Sequence, residues 1–216
     1  MKAVIFDMDG VLVDSEIHWQ ALESDHIRKM VPEWKNRDYE QIVGCSVNDL
    51  FKYIVTNFST PLVFEEFLIK HLSLAKYIYM EKVSLIQGVI KILQSLKSRD
   101  IDIGLASSSP MEWIDMVMDR FSLREYFKVI VSAEHLDGKG KPSPEIYMHT
   151  AKLMNYKTSE CIAVEDSKNG VLSAVNSGMY CVGFRNGFND NQDLSKANIV
   201  VLKLLDIDFE NLLMKQ

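Results

Sequence analysis

The alternation of short apolar runs with amphipathic stretches after residue 100 restricts the fold of this chain more than any other feature of its sequence. The apolar runs are rich in Ile and Val and predict buried strands: "IDIGLAS" (101–107), "KVIVSA" (128–133), "CIAVED" (161–166) and "YCVGF" (180–184). The stretches between them have helical periodicity: "MEWIDMVMDRF" (111–121), "PEIYMHTAKLM" (144–154) and "KNGVLSAVNSG" (168–178). This pattern predicts a Rossmann-like, doubly wound parallel sheet with right-handed crossovers, to which "KAVIFD" (2–7) adds another strand.

Residues 16–83 interrupt this alternation. They contain stretches that are helical by period, including "VNDLFKYIVTNF" (47–58), and no strand pattern. A block of helices between two strand-containing blocks indicates an inserted subdomain. We therefore expect an α/β core formed by residues 1–15 and 84–216, and a helical subdomain formed by residues 16–83.

Composition excludes several classes of protein. Of the 216 residues, 47% are hydrophobic and 25% are charged, which is typical of a globular chain, and the net charge of −6 argues against a nucleic-acid surface. The start of the chain lacks a signal-peptide core, and no apolar run approaches the ~18 residues that a membrane span needs. Cys45, Cys161 and Cys181 form no CxxC pair, which indicates reduced thiols. We expect a cytoplasmic protein without membrane or nucleic-acid partners.

Polar side chains follow four of the predicted strands. They are Asp7 and Asp9 after the first strand, Ser107 and Ser108 after the second, Lys141 in the loop after the third, and Glu165 and Asp166 after the fourth. Each group by itself is most often a turn, a helix cap or a solvated side chain. In an open parallel sheet, however, ligands bind beyond the carboxyl ends of the strands. Because all four groups fall at this edge, a shared site is the better interpretation.

The charges of these residues require a positive partner. Asp7, Asp9, Glu165 and Asp166 sum to −4, and carboxylates at contact range repel by ~1 to 4 kcal/mol per pair, depending on burial. One lysine and one Mg²⁺ would bring the site to −1, and a proton on Asp9 would bring it to zero. Mg²⁺ prefers hard oxygen ligands and is usually bound beside a phosphate. The sequence therefore predicts a Mg²⁺ site.

These residues also carry a family resemblance. "DMDGV" (7–11), "LAS" (105–107), "KPSPEIY" (141–147) and "VEDS" (164–167) resemble, in order and spacing, the four motifs of the haloacid dehalogenase-like superfamily. The helical insertion resembles the cap of its β-phosphoglucomutase-like phosphatases. The resemblance covers nearly the whole chain and implies a Rossmann-like core with a helical cap.

The resemblance also implies roles for the individual residues. Asp7 would attack phosphorus to form an aspartyl-phosphate, and Asp9 would act as general acid and base. Ser107, the backbone of Ser108 and Lys141 would hold the phosphoryl oxygens. The Mg²⁺ ligands would be Asp7, the Asp9 carbonyl, Asp166 and, directly or through water, Glu165.

Asp9 points to phosphate esters, because the dehalogenases and phosphonatases of the superfamily generally lack a carboxylate at this position and their reactions leave no oxygen to protonate. We therefore expect a phosphatase of a small sugar or polyol phosphate. The resemblance also implies a monomer, since family members with this cap are commonly monomers.

Two alternatives stay open: a hexose-phosphate mutase, and a binding domain that has lost turnover. Sequences that resemble β-phosphoglucomutase carry an arginine after the Gly-x-Ser of the cap loop and a histidine four residues after the hinge hydroxyl. Here "GCSV" (44–47) puts Val47 at the first position and Trp19 stands at the second, and both changes favour the phosphatase.

Overall fold

The computed structural model describes residues 2–39, 47–136 and 140–214. The chain divides into two compact units. The first, which we call the sheet unit, comprises Met1–Asp14 and Ser84–Gln216, and the second, the helical unit, is Ser15–Val83. Ser15, which the sequence interpretation assigned to the core, is the first residue of a helix.

The sheet unit is built on a parallel sheet. Its strands within the described residues are β1 (Ala3–Phe6), β2 (Asp102–Ser107), β3 (Val129–Ser132), β4 (Cys161–Glu165), β5 (Tyr180–Phe184) and β6 (Ile199–Val201), in the spatial order β3-β2-β1-β4-β5-β6. This is the order of a doubly wound Rossmann-like sheet, so the predicted fold class is confirmed. The short edge strand β6 was not predicted.

The strand order reverses between β1 and β4. From β1 the chain extends the sheet outward through β2 and β3, and it then returns to the other side of β1 and continues through β4, β5 and β6. Ligands of such sheets bind in the crevice beyond the strand ends at this switch point. All four residues of β1 and all five of β4 are buried, as expected for central parallel strands covered on both faces.

The sequence predicted three helices between the strands, and they are α6 (Met111–Arg120), α7 (Glu145–Leu153) and α8 (Lys168–Asn176). Two helices of this unit were not predicted: α5 (Val89–Lys97), which precedes β2, and α9 (Phe209–Met214), which follows β6. One face of the sheet packs on α7 and α8 through a cluster that includes Ile5, Ala163, Tyr147 and Val171. Ser167 caps α8, since its hydroxyl accepts a hydrogen bond from Gly170 N.

The helical unit contains no strand among its described residues. Its helices are α1 (Ser15–Arg28), α2 (Asn36–Tyr39), α3 (Val47–Asn57) and α4 (Phe64–Tyr77), the last continuing into a π-helical turn at Ile78–Lys82. Its apolar core includes Ile27, Trp34, Leu50, Ile54 and Phe67. Nowhere in the described part of the chain is a helix both long enough and apolar enough to cross a membrane.

Candidate active site

The turn after β1 presents the first two carboxylates. Asp7 N donates to Val164 O at 3.0 Å, which continues the pairing of β1 with β4 and places Asp7 at the switch point. Beyond Asp7 the chain turns back, and Gly10 has a φ of +76°, a conformation that few L-residues adopt. The glycine of "DMDG" therefore lets the chain reverse directly beyond Asp7.

Lys141 joins the ends of the two central strands. Its ammonium lies 2.5 Å from Asp7 Oδ1 and 2.5 Å from Glu165 Oε1, and its side chain is only 6% exposed. Burial lowers the pKa of Lys141, but the two carboxylates raise it by more, so the pKa lies above its ordinary value and the ammonium stays charged. The structure thus brings together three of the predicted site residues.

Asp166 joins them. Carboxylate oxygens of Asp7, Glu165 and Asp166 all lie within 4.8 Å of one another, and the three residues are buried. With Lys141, the formal charge of this group is −2 (three carboxylates and one ammonium). The pKa of Asp7 is raised to about 8, chiefly by burial and also by Glu165 and Asp9, although Lys141 lowers it. A divalent cation fits this excess of negative charge, and carboxylate oxygens are the donors that Mg²⁺ prefers.

The Asp9 side chain has a different partner. Its Oδ2 accepts a hydrogen bond from the Ser109 hydroxyl at 2.6 Å. Ser109 is fixed in turn, because its N–H donates to Ser107 Oγ at 3.0 Å and its carbonyl accepts from Ser132 Oγ at 2.7 Å. Ser107 is the buried last residue of β2, and Ser108 beside it is exposed. The loop after β2 therefore holds the Asp9 carboxylate, a contact that the sequence interpretation missed.

The loop after β5 adds two asparagines that the sequence interpretation also missed. Asn186 Nδ2 donates to Asp166 Oδ2 at 3.0 Å and to Gly10 O at 2.9 Å. The buried Asn189 donates to Asp166 O at 2.6 Å and to Phe184 O at 2.9 Å. Both asparagines therefore fix Asp166. Their only sequence signal was a position in the loop after a predicted strand, "YCVGF".

Two glycines let backbone approach the carboxylates closely. A Cβ on Gly10 would lie 2.0 Å from Asp166 Oδ2, and one on Gly170 would lie 1.9 Å from Glu165 Oε2. Real atoms do not approach so closely, so a side chain at either position would force the neighbouring carboxylate to move. The two acidic residues are thus confined by backbone on one side each.

Comparison with known proteins identifies the family. The model of the haloacid dehalogenase-like hydrolases matches residues 4–184, and the chain belongs to this family. It is 30% identical over 209 residues to the phosphorylated carbohydrates phosphatase of Thermotoga maritima, with 94% of each chain covered. It is also 30% identical over 226 residues to the β-phosphoglucomutase of Bacillus subtilis, covering 97% of this chain and 93% of that protein.

A solved structure shows the same similarity. The crystal structure of β-phosphoglucomutase from Clostridium difficile aligns with a TM-score of 0.77 at 26% identity, covering 98% of this chain and 95% of that chain. The family resemblance that the four motifs predicted is therefore confirmed.

Proposed function

We propose that the protein is a Mg²⁺-dependent phosphatase that hydrolyses a small sugar or polyol phosphate through a covalent intermediate on Asp7. The observation that carries the proposal is the position of Lys141, whose ammonium contacts both Asp7 and Glu165 at the switch point of the sheet. A buried nucleophile beside a fixed cation is what the transfer of a charged phosphoryl group needs. The names of relatives, among them phosphatases of phosphorylated carbohydrates and of hexitols, support the reaction and the substrate class.

Charge supports the metal requirement. Asp7, Glu165, Asp166 and Lys141 sum to −2, and a phosphate monoester dianion would be repelled from this group. Asp7 and Asp166 are the side chains that would hold Mg²⁺, with the Asp9 carbonyl as a further ligand. When bound, the ion would neutralise charge on the phosphoryl oxygens and keep Asp7 ionised.

The chain's own residues would carry the chemistry. A carboxylate oxygen of Asp7 attacks phosphorus, the bond from phosphorus to the ester oxygen breaks, and the leaving oxygen takes a proton from Asp9. Asp9 then accepts a proton from a water molecule, which attacks phosphorus and releases inorganic phosphate from Asp7. Ser107, the backbone N–H of Ser108 and Lys141 would hold the phosphoryl oxygens as charge spreads over them.

The helical unit would act as the cap that selects the substrate. Its Trp19, at the position where the mutase-like sequences carry a histidine, is 9% exposed, stacks on His71 at 5.3 Å and donates to Tyr79 OH at 3.4 Å. Val47 is half-buried at the start of α3, whereas residues 44–46 of the same predicted loop lie outside the described residues. An indole and an isopropyl group cannot hold a second phosphate, which needs fixed cations.

The mutase is nevertheless the second candidate, because the chain is 30% identical to a β-phosphoglucomutase over 97% of its length. One experiment tests both. The purified chain is incubated with a panel of sugar and polyol monophosphates, with Mg²⁺ or with excess chelator, and inorganic phosphate is measured. We expect phosphate release that depends on Mg²⁺, and full turnover in chelator would contradict the metal requirement.

A second arm supplies β-glucose 1-phosphate with a catalytic amount of the bisphosphate and follows glucose 6-phosphate. We expect phosphate release to exceed isomerisation. If isomerisation exceeds phosphate release, the protein is a mutase.

A further inference from the structure

Glu165 is fully engaged by protein donors. Its Oε1 accepts from the Tyr147 hydroxyl at 2.7 Å and contacts the Lys141 ammonium at 2.5 Å. Its Oε2 accepts from Asp166 N at 3.2 Å and from Ser167 Oγ at 3.4 Å. A carboxylate can accept about four hydrogen bonds, and four protein donors contact the Glu165 carboxylate. A metal ion could bind Glu165 directly only by displacing one of these donors.

The surroundings prevent Glu165 from turning toward another partner. Its side chain is completely buried, and the first turn of α8 closes on Oε2, where a Cβ on Gly170 would lie 1.9 Å away. Ser167, which caps this turn, also donates to Glu165. The carboxylate is therefore fixed by the start of α8 on one side and by Tyr147 and Lys141 on the other.

Tyr147 is a buried core residue whose hydroxyl donates a hydrogen bond to Glu165. It lies on α7, is completely buried, and packs within the cluster that joins this helix to the sheet. Burial and the neighbouring Glu165 raise the pKa of its hydroxyl well above the ordinary value, so the hydroxyl keeps its proton. The Lys141 ammonium also lies 5.4 Å from the centre of its ring, within range of a cation–π contact.

We propose that Tyr147 is a positioning residue for Lys141, acting mainly through Glu165, and that Glu165 serves the lysine and not the metal ion. The inference rests on the proposed function, since it assigns Lys141 to the phosphoryl group. It gives the two adjacent acidic residues separate tasks. Glu165 orients the lysine that binds phosphate, whereas Asp166, held by Asn186 and Asn189, binds the metal.

Tyr147→Phe tests the proposal, because it removes one hydroxyl and keeps the ring. The variant loses the hydrogen bond from Tyr147 to the Glu165 carboxylate, so Lys141 is held less firmly. Binding of inorganic phosphate, measured by calorimetry in the presence of Mg²⁺, should weaken by about tenfold. In turnover assays KM should rise by a similar factor, while kcat stays within about threefold. Binding of Mg²⁺ alone, followed by thermal denaturation at increasing concentrations of the ion, should change by less than about twofold.

Tyr156→Phe is the matched control. The Tyr156 hydroxyl also donates to a carboxylate, Asp102 Oδ2, at 2.8 Å, but Asp102 begins β2 at the opposite end from Ser107. This variant should leave phosphate and Mg²⁺ binding unchanged. Glu165→Gln and Asp166→Asn complete the series: the first should weaken phosphate binding with little effect on Mg²⁺, and the second should weaken Mg²⁺ binding strongly.

Several results would overturn the proposal. They are unchanged phosphate binding by Tyr147→Phe, equal effects of Tyr147→Phe and Tyr156→Phe, a tenfold loss of Mg²⁺ affinity on Glu165→Gln, or no phosphate binding by the unsubstituted protein. Failure of the proposed function is a different result, since it would appear as absence of phosphate release from every ester tested. The two binding measurements do not depend on turnover.

Discussion

The two units bury ionisable groups in opposite ways. In the sheet unit, Lys141 lies between Asp7 and Glu165, and the buried lysine keeps its charge. In the helical unit, Glu23 Oε1 and His71 Nε2 lie 3.9 Å apart, but burial raises the pKa of Glu23 to about 7 and lowers that of His71 to about 4. Between these values both groups are neutral. Burial opposes charge in both units, but in the first the carboxylate partners of Lys141 outweigh it, and in the second burial prevails.

The difference follows from the partners that each unit supplies. The ends of parallel strands and the start of α8 provide N–H and hydroxyl donors to the carboxylates, whereas His71 is stacked between the rings of Trp19 and Phe67 at 5.3 and 5.4 Å. Aromatic surroundings cannot replace water around a charge. We therefore expect substitutions at the strand ends to act on turnover, and those in the Glu23–His71 pair to act on stability and its pH dependence.

Asp7→Asn should have the largest effect. The amide keeps the shape of the side chain but is not a nucleophile, so turnover should fall by at least about a thousandfold, or ~4 kcal/mol of transition-state stabilisation. In the absence of metal the melting temperature should stay the same or rise, because a repelled buried carboxylate is removed. Steady-state kinetics and thermal denaturation measure the two effects. Activity within tenfold of the unsubstituted protein would exclude Asp7 as nucleophile.

Gly10→Ala should have the next largest effect. The new methyl group would collide with Asp166 Oδ2, and displacement of a catalytic group by about 1 Å can reduce turnover by about a hundredfold. Gly178→Ala is the control, since Gly178 also has a positive φ, of +87°, but its Cβ would only touch Thr158 Oγ1 at 3.4 Å. Both variants should lose ~1 to 2 kcal/mol of stability through backbone strain. Only Gly10→Ala should lose activity; equal kinetic losses would contradict the account.

Ser109→Ala should lower kcat by an amount that depends on the leaving group of the substrate. Without the Ser109 hydroxyl, the Asp9 carboxylate loses its 2.6 Å donor and is held less firmly for proton transfer. We expect kcat to fall by about tenfold for alkyl phosphates, whose leaving groups need a proton, and by less than about threefold for an activated aryl phosphate. Ser98→Ala, at an exposed serine that donates to Ser95 O, is the control. A loss of the same size for both leaving groups would show that Ser109 does not act through Asp9.

Glu23→Gln should leave turnover nearly unchanged and alter the pH dependence of stability. Between the unfolded pKa of 4.5 and the folded pKa of about 7, the folded chain keeps a proton that the unfolded chain releases. The contribution of Glu23 to the free energy of unfolding is therefore fully present below pH 4.5 and is lost as the pH rises through 7. Relative to the unsubstituted protein, Glu23→Gln should become more stable between pH 5 and 8 by up to about 3 kcal/mol.

Denaturant unfolding at pH 5 and pH 8 measures this effect. Glu66→Gln is the control, since the Glu66 side chain is 53% exposed and pairs with Lys70 on the same helix surface. The free energy of unfolding of Glu66→Gln should differ little from that of the unsubstituted protein, by an amount nearly independent of pH. If the stability difference between Glu23→Gln and the unsubstituted protein is the same at both pH values, Glu23 and His71 are not a neutral pair.

The sequence predicted the sheet well because its signal is local. β1 and β4 are continuous apolar runs, and parallel strands end at a common edge. This was enough to predict that Asp7, Lys141, Glu165 and Asp166 lie together. The three-residue strand β6 was missed because "IVV" is too short to show a period.

The supporting contacts could not be predicted, because they depend on distances in space. Tyr147 looked like one more apolar residue of a helix, and nothing in its spacing showed that its hydroxyl would reach Glu165. Asn186 and Asn189 follow β5 in a loop whose shape the sequence does not specify. Ser109 follows two other serines before a predicted helix, a position with no sign that its hydroxyl contacts Asp9, which is 100 residues away in the chain.

The central claim is that Asp7 accepts the phosphoryl group, and chemical trapping tests it most directly. In Asp9→Asn, an activated aryl phosphate can still transfer its phosphoryl group without an acid, but no base is left to activate the water that removes it. This variant should be quenched with acid during the first turnover, digested and analysed by fragmentation mass spectrometry. We predict one added phosphoryl group located on Asp7. Release of phosphate during that turnover without a phosphoryl group on Asp7, or with the group on another residue, would contradict the account.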